Sequence, residues 1–280
     1  MKTSKIIPPF LATLLVIANI SLAMAEKDRT LTFGIVPQQV TTKMVASWTP
    51  LLHRLSAKTG YTIRFKTALN IPAFEKQLAA GEYDIAYMNP YHYTVFNKKP
   101  GYMAFAKEAE TRLIGIIVTR KDAPYQTLQD LSGLTLAFPS PASFAATVVP
   151  LLTFAELGIP VRPQYAVSHS SAYLSVYMGM FPAAGGVMRT YEAMPDEVKS
   201  QLRIMYQTKG YTPHAIAAHP RLSKSTVNKI REALLSLDDD AEGKALLSAI
   251  NFKGVATAAD KDWDDIRALK IKNLDNLLKE

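Results

Sequence analysis

The sequence contains no cysteine. Disulfide scaffolds, thiolate zinc sites, iron–sulfur clusters and a cysteine nucleophile are therefore excluded. Basic residues exceed acidic ones, 32 against 24, for a net charge of +8. Yet no basic run is longer than a pair such as Lys98-Lys99, which argues against nucleic-acid binding. There is no P-loop and no G-x-G-x-x-G, so a transport ATPase and a dinucleotide enzyme are excluded. No G-x-S-x-G elbow and no H-E-x-x-H pair occur, and Asp238-Asp239-Asp240 lacks the glycine and distal glutamate of a calcium loop. No enzyme activity, metal or cofactor is expected.

What is present is globular: 280 residues, 48% apolar and 20% charged. Residues 1–25 have the order of a cleavable secretory signal. Lys2 and Lys5 precede an apolar segment from Ile6 to about Leu22, and Ala23-Met24-Ala25 makes an A-x-A site before Glu26. Loss of Lys2 and Lys5 lowers the net charge from +8 to +6. Export of a cysteine-free chain suits the oxidising periplasm. No later apolar run reaches the ~18 residues that span a bilayer.

Beyond residue 30, β-prone runs alternate with helical spacing. Leu31–Val36 forms a buried strand pattern, and Met44, Trp48, Leu51, Leu52 and Leu55 mark a helix that Pro50 kinks or begins. Strands are expected at 61–66, 84–88, 112–119, 134–138, 164–167, 183–187 and 202–206, with helices between them and after Leu222. Such alternation makes an α/β fold. Two successive patterns predict two lobes around a ligand cleft, crossed near residues 112–119 and 206–218. The expected division is 26–117 plus 209–280 for one lobe and 118–208 for the other.

Six stretches occur in a telling order. They are Gly34-Ile35, Trp48-Thr49-Pro50, Gly81-x-x-Asp84-Ile85-Ala86, Leu128-x-Asp130-Leu131-x-Gly133, Ser140-Pro141-Ala142-Ser143, and Ser168-His169 followed by Val176 and Gly179. In this order the chain resembles the periplasmic phosphonate/phosphite/phosphate-binding proteins of ABC transporters, over nearly all of its mature length. The resemblance implies a type II periplasmic-binding fold, two α/β lobes closing on a small anion, and usually a monomer. It also implies a membrane permease as partner.

The family loop reads roughly Asp-Pro-x-Ser-Thr-Ser-Gly at a helix start. Here Ser143 matches its first serine, while Phe144 and Ala145 replace the next two hydroxyls. His169 matches the family histidine that reaches the anion from the second lobe. Ile71 and Met88 stand where relatives often place tyrosines, and Pro213-His214 falls near an acidic position that can bind a ligand amino group. Replacement donors are Thr147, Tyr87, Asn89, Tyr91 and Tyr93, with Gln38 at the cleft rim. Ser143 is equally consistent with a plain helix cap, and His169 with a surface or capping role. Arg189 suits either an oxyanion clamp or a surface salt bridge.

The expectation is thus a periplasmic solute-binding protein that captures a phosphonate-like or related organic anion for an ABC transporter. A sensor module reporting to a signalling receptor and a secreted enzyme are the alternatives.

Overall fold

The computed structural model describes residues 30–272, 274 and 276; the expected signal and cleavage site lie outside them. The first sheet is built from β1 (Thr30–Ile35), β2 (Thr62–Lys66), β3 (Ile85–Met88) and β4 (Met103–Glu108). Helix α1 (Thr41–Thr59) joins β1 to β2, α2 (Ile71–Ala79) joins β2 to β3, and α3 (Pro90–Phe96) follows β3. Two late strands, β10 (Ala215–Ala218) and β11 (Val255–Thr257), complete the order β11-β4-β10-β3-β1-β2. β1 runs parallel to both β2 and β3, whereas β10 lies antiparallel between β3 and β4.

Helix α1 buries Met44, Trp48, Leu51, Leu52 and Leu55 on one face, and Gly60 ends it at φ 72°. Pro50 neither starts nor breaks it: the helix begins at Thr41 and runs through an exposed Pro50. Interior proline costs roughly 3 kcal/mol, but the buried stripe on both sides of it holds the helix against the sheet.

The second sheet contains β5 (Gly115–Arg120), β6 (Thr135–Phe138), β7 (Arg162–Tyr165), β8 (Ala183–Val187) and β9 (Leu202–Gln207), in the order β7-β6-β8-β5-β9. Its helices are α4 (Val149–Glu156), α5 (His169–Tyr177), α6 (Met188–Glu192) and α7 (Asp196–Gln201). Strand alternation gives the sheet two apolar faces. Ile116 and Val118 pack with Ala172, Tyr173 and Val176, while Ile117 packs with Leu136, Phe138 and Phe154.

The chain leaves the first sheet after Glu108 and returns before Ala215. The two crossing segments are tied by an antiparallel bridge between Leu113 and Tyr211. β5 belongs to the second sheet over its whole length, so the outward crossing occupies 109–114 rather than 112–119. Strand pairing decides this: Gly115 already opposes Val187 of β8. After β10, α8 (Lys224–Leu235) and α9 (Ala241–Ala249) return to the first sheet, and α10 (Asp264–Arg267) follows β11. Among the described residues, no helix is long and apolar enough to cross a membrane.

Candidate functional site

The two sheets face each other across the loop that follows β6. Pro139–Ser143 leads into a wide π-type turn, Phe144–Val148, which continues without interruption into α4. Both Thr147 and Val148 donate their amides to the Ser143 carbonyl, at 2.8 and 3.2 Å. Such widened turns recur at functional sites. Ala142, Phe144, Ala145 and Ala146 are buried in the apolar cluster of the first sheet, which closes the lobes on one another.

Two strand glycines let this helix start sit so low. A Cβ at Gly185 of β8 would lie 2.1 Å from the Ala146 carbonyl oxygen, and one at Gly115 of β5 would lie 1.9 Å from that of Ala145. Glycine within a strand marks this close backbone approach. Gly185→Ala is expected to destabilise the protein by about 3 kcal/mol, because the obstructing atom belongs to the backbone. Urea unfolding measures this; an unchanged midpoint would show that the helix start is free to move.

Ser143 is not a helix cap in the usual sense. Its hydroxyl makes no capping bond and instead faces His169 Nε2 at 3.2 Å. The capping role at α5 goes to Ser168, whose hydroxyl accepts from the Ser171 amide at 3.1 Å. That frees the His169 ring, which is 1% exposed. Its amide donates to the Gln38 carbonyl of the first lobe (3.3 Å), and its Nδ1 lies 3.4 Å from the Thr190 hydroxyl. Burial, aided by the positive charge of Arg189, pushes the His169 pKa down to about 3. The ring is therefore neutral at physiological pH.

A second histidine completes the wall. His214, on the returning crossing, stacks on Tyr87 with centroids 4.9 Å apart. Gln38 Nε2 lies 3.1 Å from His214 Nε2. An amide nitrogen only donates, so His214 Nε2 accepts and the proton sits on Nδ1. Burial, and then Arg189, hold this ring well below the usual histidine range.

Three buried polar atoms here have no protein partner: Ser140 Oγ, Thr147 Oγ1 and His214 Nδ1. Leaving such a group unsatisfied costs about 1–3 kcal/mol, so each is a candidate donor to a bound polar ligand.

Arg189, at the start of α6, does not make a surface salt bridge. It donates Nη1 to Glu108 at the end of β4 at 2.8 Å, in a largely buried ion pair that joins the two lobes. Its guanidinium lies 6.0 Å from the Tyr87 ring centre and 5.6 Å from that of Phe252. A second strap runs from Lys43 Nζ to the Ala193 carbonyl at 2.6 Å.

The residues expected in the site divide accordingly. Ser143, His169, Gln38 and Tyr87 converge directly or through shared partners, and Thr147, Phe144 and Ala145 come with the helix start. Phe144 packs edge-on against Tyr211. Asn89 reaches the loop, but as a structural link: Oδ1 caps α3 and Nδ2 donates to the Ala142 carbonyl at 3.2 Å. Tyr93 donates to Asp260 at 2.7 Å, and the Tyr91 hydroxyl accepts from the Leu274 amide at 2.9 Å. Both hydroxyls are thus turned toward the C-terminal segment. Ile71 and Met88 are buried among apolar residues of the first lobe. Ser140, Thr190 and His214 join the site without having been expected as ligands. His214 had a signal in its position on the return crossing, and Ser140 in its place in the loop; Thr190 had none. Among the described residues, no three His, Cys, Asp or Glu side chains group as metal ligands.

Comparison with known proteins agrees with this architecture. A family model described as "ABC transporter, phosphonate, periplasmic substrate-binding protein" matches residues 33–263. The phosphate-import protein PhnD of Mycolicibacterium smegmatis is 22% identical over 276 residues, covering 85% of this chain and 84% of its own. Two solved structures share the fold at a TM-score of 0.80. One is a binding-protein component of an ABC phosphonate transporter from Pseudomonas aeruginosa, 19% identical, covering 87% of this chain and 86% of its own. The other is PhnD1 of Prochlorococcus marinus in complex with methylphosphonate, 16% identical, covering 86% of this chain and 97% of its own.

Proposed function

The chain belongs to the family of periplasmic substrate-binding proteins of ABC phosphonate transporters, and we propose that its own solute is a small phosphorus oxyanion of the phosphonate class. Membership makes it a solute-binding transport component rather than an enzyme. The observation that carries the choice of solute is the set of unpartnered buried donors Ser140, Thr147 and His214 beside the Ser143–His169 pair. The loop lacks two family hydroxyls at Phe144 and Ala145, and these three donors take their place.

A tetrahedral oxyanion fits such a set. Ser143, Thr147 and His169 approach from the second lobe, and Gln38 and His214 from the first side. The start of the 144–156 helix adds the positive end of its dipole. Binding works by differential affinity: an anion touching both walls favours the closed arrangement over the open one. In this reading the lobes comprise residues up to 114 with 208 onward, and 115–207. Residues 1–25 direct export to the periplasm, the protein acts as a monomer, and the closed form docks on a membrane permease.

The test is a thermal-shift panel on protein refolded free of ligand. Methylphosphonate or phosphate at 100 times Kd should add about 2.7 kcal/mol, worth roughly 2–4 °C per kcal/mol at this size. Sulfate and small carboxylates should give far less. A flat response to every phosphorus compound would overturn the reading.

A further inference from the structure

Beside the Ser143–His169 pair lies a second cavity between the lobes. It is lined by Gln38, Gln39, Lys43, Ser47, Trp48, Tyr87, Arg189, Thr190 and Asn251, with apolar Met44 and Ile250. Gln38 and Thr190 also touch His169, so this cavity opens beside the proposed oxyanion position. Among the described residues, its charged lining residues are Lys43 and Arg189, both cations.

The nearby carboxylate does not change that sign. Glu108 pairs with Arg189, but it lines a different cavity, on the hinge side, with Glu110, Arg112, Glu192 and Lys253. Arg189 lines both cavities. Glu108 does not line the interlobe cavity. Glu108 is thereby the group that aims Arg189 rather than a partner for a ligand ammonium. Of the uncharged polar groups, Gln38, Gln39 and Asn251 carry amide donors, whereas the Ser47 and Thr190 hydroxyls donate to the Lys43 and Val187 carbonyls.

We propose that this cavity is a subsite for a second anionic group, so that the protein prefers phosphonates carrying a carboxylate or second acid over those carrying an amine. The inference rests on the phosphonate reading of the main site. With the phosphorus oxyanion beside the Ser143–His169 pair, the substituent on carbon extends past Thr190 toward Arg189 and Lys43. A carboxylate there meets two cations and several donors. An ammonium meets the same two cations and is repelled. Burial lowers the His169 and His214 pKa values most, and the nearby Arg189 charge lowers them further.

The experiment is calorimetric titration at pH 8 with methylphosphonate, phosphonoacetate and 2-aminoethylphosphonate. Phosphonoacetate should bind at least tenfold more tightly than methylphosphonate, and 2-aminoethylphosphonate at least tenfold more weakly. Lys43→Gln also removes the strap to Ala193, so it should weaken every phosphonate somewhat, but it should reduce the preference for phosphonoacetate over methylphosphonate several-fold. Arg189→Gln is best made together with Glu108→Gln, since alone it strands a buried carboxylate; the pair should remove most of the preference. Methylphosphonate binding with equal or better binding of the amine would overturn the subsite and leave the phosphonate reading intact. Failure of all three compounds to bind would overturn both.

Discussion

His169→Ala should weaken methylphosphonate binding about 100-fold while the protein remains folded. A hydrogen bond to a charged group is worth about 1.5–3 kcal/mol, and each 1.4 kcal/mol is tenfold in affinity. The imidazole lies within 3.2 Å of the Ser143 hydroxyl and 3.4 Å of the Thr190 hydroxyl. Its removal therefore also loosens the Ser143 and Thr190 hydroxyls. Ser143→Ala should cost about tenfold, the worth of one hydroxyl bond to an anion. The double variant should lose little more than His169→Ala, because contacting residues that act as a unit are not additive. His169→Gln, which keeps a donor, should recover part of the loss. Wild-type affinity in both single variants would remove these residues from the site.

Acid should destabilise the ligand-free protein well above the pH at which carboxylates titrate. His169 is held down to about 3, and His214 is also held well below the usual range. Burial is the main cause in both, and Arg189 is the second. The unfolded chain takes up a proton on each ring near pH 6.5, whereas the folded chain does not. Stability is therefore full above pH 6.5 and falls as pH drops toward 3. Between pH 6.5 and 4.5 His169 should remove about 2 kcal/mol, and His214 adds a loss in the same direction.

Asp84 and Asp130, whose pKa values are lowered by hydrogen bonds made to them, add their losses only at lower pH. Urea midpoints at pH 8, 6 and 4.5 measure the slope. His169→Gln and His214→Gln should each flatten it. Bound phosphonate should do the same, since an anion favours the charged imidazole. A midpoint unchanged between pH 6.5 and 4.5 would mean that water reaches both rings.

Much of the site was legible because it is local. The loop Ser140–Ala146 and the Ser168-His169 pair are contiguous stretches, and their order along the chain points to the family. The choice between helix cap and site residue at Ser143 was not legible. A capping serine and a ligand serine occupy the same position in sequence, and only the placement of His169 on another element shows where the hydroxyl turns. At α5 the two roles are divided between neighbours: Ser168 caps the helix and His169 reaches the cleft.

Tyrosine side chains show the same limit from the other side. Tyr87, Tyr91 and Tyr93 lie within seven residues at the end of one strand and the following helix, and each is a plausible donor. The helix turns Tyr91 and Tyr93 toward the C-terminal segment, where Leu274 and Asp260 engage them. The strand leaves Tyr87 in the cleft, stacked on His214. Which tyrosine faces the cleft depends on residues almost two hundred positions away.

By itself the sequence determined the α/β class, eight of the strands and the family, but it missed β4, β10 and β11, which complete the first sheet. Periodicity, glycines and short motifs are local, and they survive without knowledge of packing. Tertiary structure alone decided the charge of the cleft. Glu108 and Arg189 are 81 positions apart, and they meet because one ends a strand of the first sheet while the other begins a helix of the second. A buried ion pair between distant residues leaves no mark in either local sequence. The pair exists only once both sheets have folded and closed on one another.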